Sequence, residues 1–179
     1  MSSFPQLQNL SFGDEKKTSS DKKTNLGSLG IMPDGRLFRY GRASATALVA
    51  GDLYQCNVGI GSAGGDLDYA GVIIAGTAAI GATVVPLTAG GTTAVTTDRF
   101  ADGFLFIASS AGLGHNYKIK SNGAAAASGA FNVTLYPSDP IKVALAGGST
   151  KVGLRDNPYA SLTLTTADGE QLDAWFIPA

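Results

Sequence analysis

A chain of 179 residues with 44% apolar residues, only 15% charged residues and a net charge of −1 can bury a core, but it has no general electrostatic attraction for nucleic acid. One cysteine and one histidine exclude an intrachain disulfide and a closed zinc site built from a single chain. Twenty-four glycines beside abundant Ala, Thr and Val favour pleated sheet with glycine turns over a helical enzyme core.

Met1 to Asn25 is polar, with "SFGDEKKTSSDKKTN" at its centre and sparse apolar residues at Phe4, Leu7, Leu10 and Phe12. No helical period is sustained there, which predicts an extended arm that orders on a partner. No charged stretch leads into an apolar run at the N-terminus, so no signal peptide is expected. Residues 1–42 hold seven Lys/Arg against four Asp/Glu, and the rest of the chain holds six against ten. A basic front on an acidic body suits contact with an acidic surface.

Next comes "IMPDGRLFRYGRAS", in which Pro33, Asp34 and Gly35 give a turn signal. The alternation from Arg36 to Tyr40 predicts a strand, with Leu37 and Arg39 on one face and Arg36, Phe38 and Tyr40 on the other. The arginines Arg36, Arg39 and Arg42 are therefore divided between faces, which argues against a basic surface that stacks bases. Packing of Phe38 and Leu37, with the arginines paired to acidic groups within or between subunits, is the expectation.

Ala45 to Ala50 reads as a short helix or bend ended by Gly51. Strands are predicted at 53–58, 72–75 and 82–87, with a Gly-rich loop between the first two and a turn near Gly81. Residues 69–91 contain Pro86 and many Gly and Thr, and fail as a membrane span. The segment Phe104 to Ala108, the turn "SSAGLG" and the alternating stretch His115 to Ser121 form a hairpin signal. Further strands are predicted at 131–136, 151–154, 162–165 and 174–177, with a short turn of helix starting at Pro140. Short strands at nearly even spacing indicate an all-β protein, an antiparallel β-sandwich or barrel with an extended N-terminal arm. The division expected is 1–30 for the arm and 31–179 for the β-rich body.

Catalytic groups are scarce. His115 lies at a predicted hairpin mouth, on a different strand from Cys56, and no nucleophile elbow is present. Asp66 and Asp68 in the Gly-rich loop lack the bidentate Glu of a calcium loop. Asp98 and Asp102 are expected to bond turn backbone. "GIGSAGG" has neither the Lys-Ser/Thr of a phosphate loop nor a clear helix after it. No catalysis, metal or cofactor is expected, and Trp175 in "DAWFIP" is expected in the core.

The ordered motifs "LGIMPDGRLFRYGRASATALVAGDLYQ", "ADGFLFIASSAGLGHNYKIKSN", "FNVTLYPSDPIKVAL" and "NPYASL" resemble small virion proteins of tailed bacteriophages, the capsid decoration proteins, also called cement or head-stabilising proteins. The resemblance covers Leu29 to Leu162. It implies a structural virion protein on the outer capsid surface, made in the host cytoplasm, that binds the major capsid protein as a homo-oligomer (trimer or dimer) and contacts neither nucleic acid nor membrane. Under it the partner-binding residues are Phe4, Leu7, Leu10, Phe12, Lys16, Lys17, Arg36, Arg39 and Arg42. Alternative assignments are another virion part (tail, neck or fibre attachment) or a β-sandwich module that binds glycan.

Overall fold

The computed structural model describes residues 7–43, 54–56, 69–90, 94–160 and 162–164. The expected helix at Ala45–Ala50, the loop carrying Asp66 and Asp68, the "GIGSAGG" glycines, and the strand and core tryptophan near the C-terminus lie outside these residues, as does Phe4. The chain divides into two compact units: Met1–Val58 with Pro158–Ala179, and Gly59–Asn157. The protein is all-β. Among the described residues its one helical element is the 3₁₀ turn Asp14–Lys16.

In the first unit, β1 (Leu7–Asn9), β2 (Leu29–Ile31) and β3 (Leu37–Arg39) form a three-stranded sheet in that order. Strands β1 and β2 run parallel, and β2 and β3 antiparallel. The turn between β2 and β3 is the one that Pro33, Asp34 and Gly35 signal. Gly35 sits at φ 85°, its N–H donates to Met32 O at 2.9 Å, and Met32 N donates to Arg36 O at 2.9 Å. That positive φ suits a residue without a Cβ. Phe38 faces inward at 8% exposure, whereas Leu37 is 47% exposed. The expectation that Leu37 packs is therefore corrected: on a strand with one covered face, consecutive residues take opposite sides. The segment assigned to an arm thus includes a strand, β1, that adds to the sheet of the same unit. Strand β4 (Tyr54–Cys56) pairs antiparallel with β11 (Leu162–Leu164).

The second unit holds β5 (Ala70–Ile73), β6 (Val84–Thr88), β7 (Phe104–Ile107), β8 (Asn116–Asn122), β9 (Ala130–Leu135) and β10 (Lys151–Arg155). Its sheet has the order β5-β10-β7-β8-β9-β6, and every neighbouring pair is antiparallel. The two ends of that order meet at an antiparallel bridge between Ile74 and Leu87, where Ala75 N donates to Pro86 O at 2.9 Å. The sheet curls round on itself as a six-stranded barrel.

Alternation explains the filling. Leu105, Ile107, Tyr117, Ile119, Val133, Leu135 and Val152 point inward and are at most 2% exposed, while Phe104 and Lys151 face out. Tyr69 and Phe100 add an edge-on aromatic pair with centroids 4.9 Å apart. On the outer face the ring of Phe106 lies over its cross-strand partner Gly153, where a Cβ would come within 1.9 Å of the ring.

The helix expected after Pro140 is absent. Ile141 N donates to Ala82 O and Leu145 N to Ala78 O, each at 2.9 Å, and both side chains enter the core at 0% and 2% exposure. Pro140, which suits a helix start, instead precedes two points, Ile141 and Leu145, where the chain dips into the barrel.

Candidate functional site

The residues singled out as a partner-binding surface lie in the first unit. Leu7 on β1 is 63% exposed and Phe12 is 67% exposed. Leu10, between them, is half-buried, and its side chain sits over Gly30, where a Cβ would come 2.5 Å from it. Leu10 N also donates to Ile31 O at 2.8 Å. One leucine thus fastens the segment to its own sheet, and two large apolar side chains, one on either side of it in sequence, are presented outward.

Lys16 closes the 3₁₀ turn, and Lys17 pairs with Asp14 at 2.7 Å. That hydrogen bond, first among the causes, holds the Asp14 carboxyl below its ordinary value and raises Lys17. The pair is exposed, so it organises the turn without adding measurable stability.

Arg36 reaches Asp34 at 2.7 Å and lies over the Phe38 ring at 5.7 Å. Among the described residues the other two arginines bond main-chain carbonyls. Arg39 donates to the Gly27 carbonyl at 2.8 Å, and Arg42 Nε donates to the Ala160 carbonyl at 3.0 Å. A guanidinium satisfies carbonyls at a chain crossing well, because its donors spread in a fixed plane. Arg42 also lines a cleft of about 300 Å³ with Thr18, Ser19, Tyr40 and Gly41. The three arginines therefore brace the unit separately and do not converge.

In the second unit the Asp98–Asp102 segment is more than a turn. Asp98 Oδ1 accepts from Asn122 N at 3.3 Å, and buried Asn122 in turn accepts from Phe100 N and donates to Thr96 O and Gly123 O. Asp102 is fully buried with φ 59°, a left-handed conformation that Asp tolerates better than most residues. Its carboxylate accepts from the Tyr136 hydroxyl at 2.6 Å. His115 precedes β8, with Nδ1 3.1 Å from the Tyr117 hydroxyl. Asp102, Lys118, Tyr136 and Asn157 cluster here, and sequence reasoning missed the group because its members come from four separate segments.

Burial, then the Asp102 hydrogen bond and charge, push the ionisation of Tyr136 well above its ordinary value of 10.0. The fold favours the neutral phenol, so this contribution is complete below pH about 10 and is lost as pH rises beyond it towards the folded value. The melting temperature of the wild-type chain is expected to fall with pH above about 10, and that of Tyr136→Phe to fall less steeply from its own neutral-pH value. Equal slopes in a paired pH series would remove Tyr136 as the cause.

Compared with known protein families, with curated proteins and with solved structures, the chain matches none.

Proposed function

We propose that this protein is a structural virion component that binds the outside of a bacteriophage capsid and stabilises the shell, acting by surface contact and not by turnover of a substrate. The observation that carries this reading is the presentation of Leu7 and Phe12, 63% and 67% exposed, on the segment that begins with the end strand of a small sheet. Exposed side chains of this size, set among lysines, suit shallow pockets on a neighbour of acidic character. The motif order from Leu29 to Leu162 supports the same reading. The partner is the major capsid protein, engaged by a homo-oligomer whose several contacts add avidity.

Burying each apolar side chain contributes roughly 1.5–3 kcal/mol. A Leu7→Ser/Phe12→Ser chain should therefore bind at least about tenfold more weakly, since about 1.4 kcal/mol is a factor of ten. Both positions face solvent in the isolated chain, so folding should be unchanged. The measurement is co-sedimentation with expanded empty shells of the major capsid protein encoded with it. Wild-type chain left in the supernatant overturns the capsid assignment. Wild-type binding matched by the double variant overturns the role of this segment alone.

A further inference from the structure

Lys118 on β8 lies on the outer face of the barrel opposite Phe104, yet it is only 5% exposed. The Phe104 ring covers its ammonium at 4.1 Å. Lys118 Nζ donates to the main-chain oxygen of Asp102, and Asn157 Nδ2 donates to that same oxygen at 3.0 Å. Two nitrogens share one acceptor, which brings the Asn157 amide and the Lys118 amine to the same main-chain oxygen. Asn157 is 6% exposed and Asp102 0%, and the Asp102 carboxylate is held by the Tyr136 hydroxyl. An amine, a primary amide and a carboxylate are thus brought out of water together.

Such a set has a chemistry. A solvated lysine ammonium is not a nucleophile, but burial favours the neutral amine, and the side chain of Asp102, the residue whose main-chain oxygen both nitrogens share, supplies a carboxylate to receive its proton. The barrel supplies the proximity. Strand β7 pairs with β8 through Phe104 and Lys118 and with β10 through Phe104 and Arg155, so Lys118 and the chain just beyond β10 flank one strand end. Groups fixed in this way react as if at very high concentration.

We infer that Lys118 and Asn157 join in an intramolecular isopeptide bond, with Asp102 as the proton carrier. Asp102 takes a proton from the Lys118 ammonium, and the freed lone pair attacks Cγ of Asn157. The tetrahedral carbon collapses with breakage of its bond to Nδ2. That nitrogen leaves as ammonium with the two protons it held and two from the lysine nitrogen, passed through Asp102. The carboxylate is restored and one N–H remains on the new amide. No oxidant, reductant or further reactant takes part, and the reaction occurs once per chain. It is independent of what the protein binds.

The test is the mass of the purified full-length chain, measured denatured, followed by a proteolytic map. The expected result is a chain lighter by one ammonia and a branched peptide joining Lys118 to Asn157. Imide formation at Asn122–Gly123 loses the same mass, so the branched peptide decides. Lys118→Arg, which keeps the charge, and Asn157→Ala should each return the full mass and yield only linear peptides. Full sequence mass in the wild-type chain overturns the inference, as does recovery of Lys118 and Asn157 in separate linear peptides whatever the mass.

Discussion

Gly103→Ala is expected to lower the melting temperature of the Gly59–Asn157 unit by roughly 10 °C or more, because its methyl group has nowhere to go. A Cβ at this position would lie 2.1 Å from the main-chain oxygen of Arg155 and 2.9 Å from that of Phe100. Neither oxygen can retreat freely. Phe100 O accepts from Gly103 N in the turn entering β7, and Arg155 is in register with Phe104 on the neighbouring strand. Relief requires the backbone to move at a strand end that also positions buried Phe100. The cost is about 3 kcal/mol, at the upper end for overpacking, since rotamer changes give no escape. Gly123→Ala is the control. No atom lies within 4 Å of its Cβ position, and its change should stay within about 0.5 kcal/mol. Thermal denaturation of the two variants side by side checks the prediction, and equal melting temperatures would refute it.

In a Lys118→Arg background, where no isopeptide bond can form in any of the chains compared, Asp102→Ala should cost about 3 kcal/mol, from two sources that the Asn variant separates. The substitution leaves the buried Tyr136 hydroxyl without the carboxylate it donates to, and it asks alanine to hold a φ of 59°. Asn keeps an acceptor oxygen and tolerates the left-handed conformation, so Asp102→Asn should lose less than half as much. Combining Asp102→Ala with Tyr136→Phe should cost less than the sum of the two, because the second change removes the orphaned donor. Urea unfolding of the four chains gives the cycle. Additive losses would show that the hydroxyl–carboxylate bond contributes nothing.

Much of the barrel was legible in the sequence, because inward and outward residues alternate along its strands. The stretches Phe104–Ile107 and Asn116–Asn122 carry the hairpin within a residue of the expected bounds. What resisted was anything set by distant partners. Pro140 suggests a helix start, and nothing nearby in sequence says otherwise, since the segment that Ile141 and Leu145 bond to lies some sixty residues earlier. Lys118 occupies an outward strand position, where a lysine normally reaches water; the Phe104 ring, the loop holding Asp102 and the chain near Asn157 bury it. In the candidate surface, the turn at Gly35 and the exposure of Phe12 follow local pattern, whereas the pinning of Leu10 over Gly30 depends on a parallel pairing that no adjacent residues announce. The arginines illustrate the same limit: Arg36 finds Asp34 two residues away, while Arg42 crosses to a carbonyl at Ala160.

Closure of the six-stranded barrel has a consequence for how copies can join. A sheet whose first and last strands meet at Ile74 and Leu87 has few open backbone groups there with which to recruit a stranger's chain. The β1-β2-β3 sheet has terminal strands on both sides among the described residues. Growth of β-structure from one molecule into the next would therefore start from the open-edged sheets, β1-β2-β3 or the β4–β11 pair, leaving the larger one to serve as an inert block.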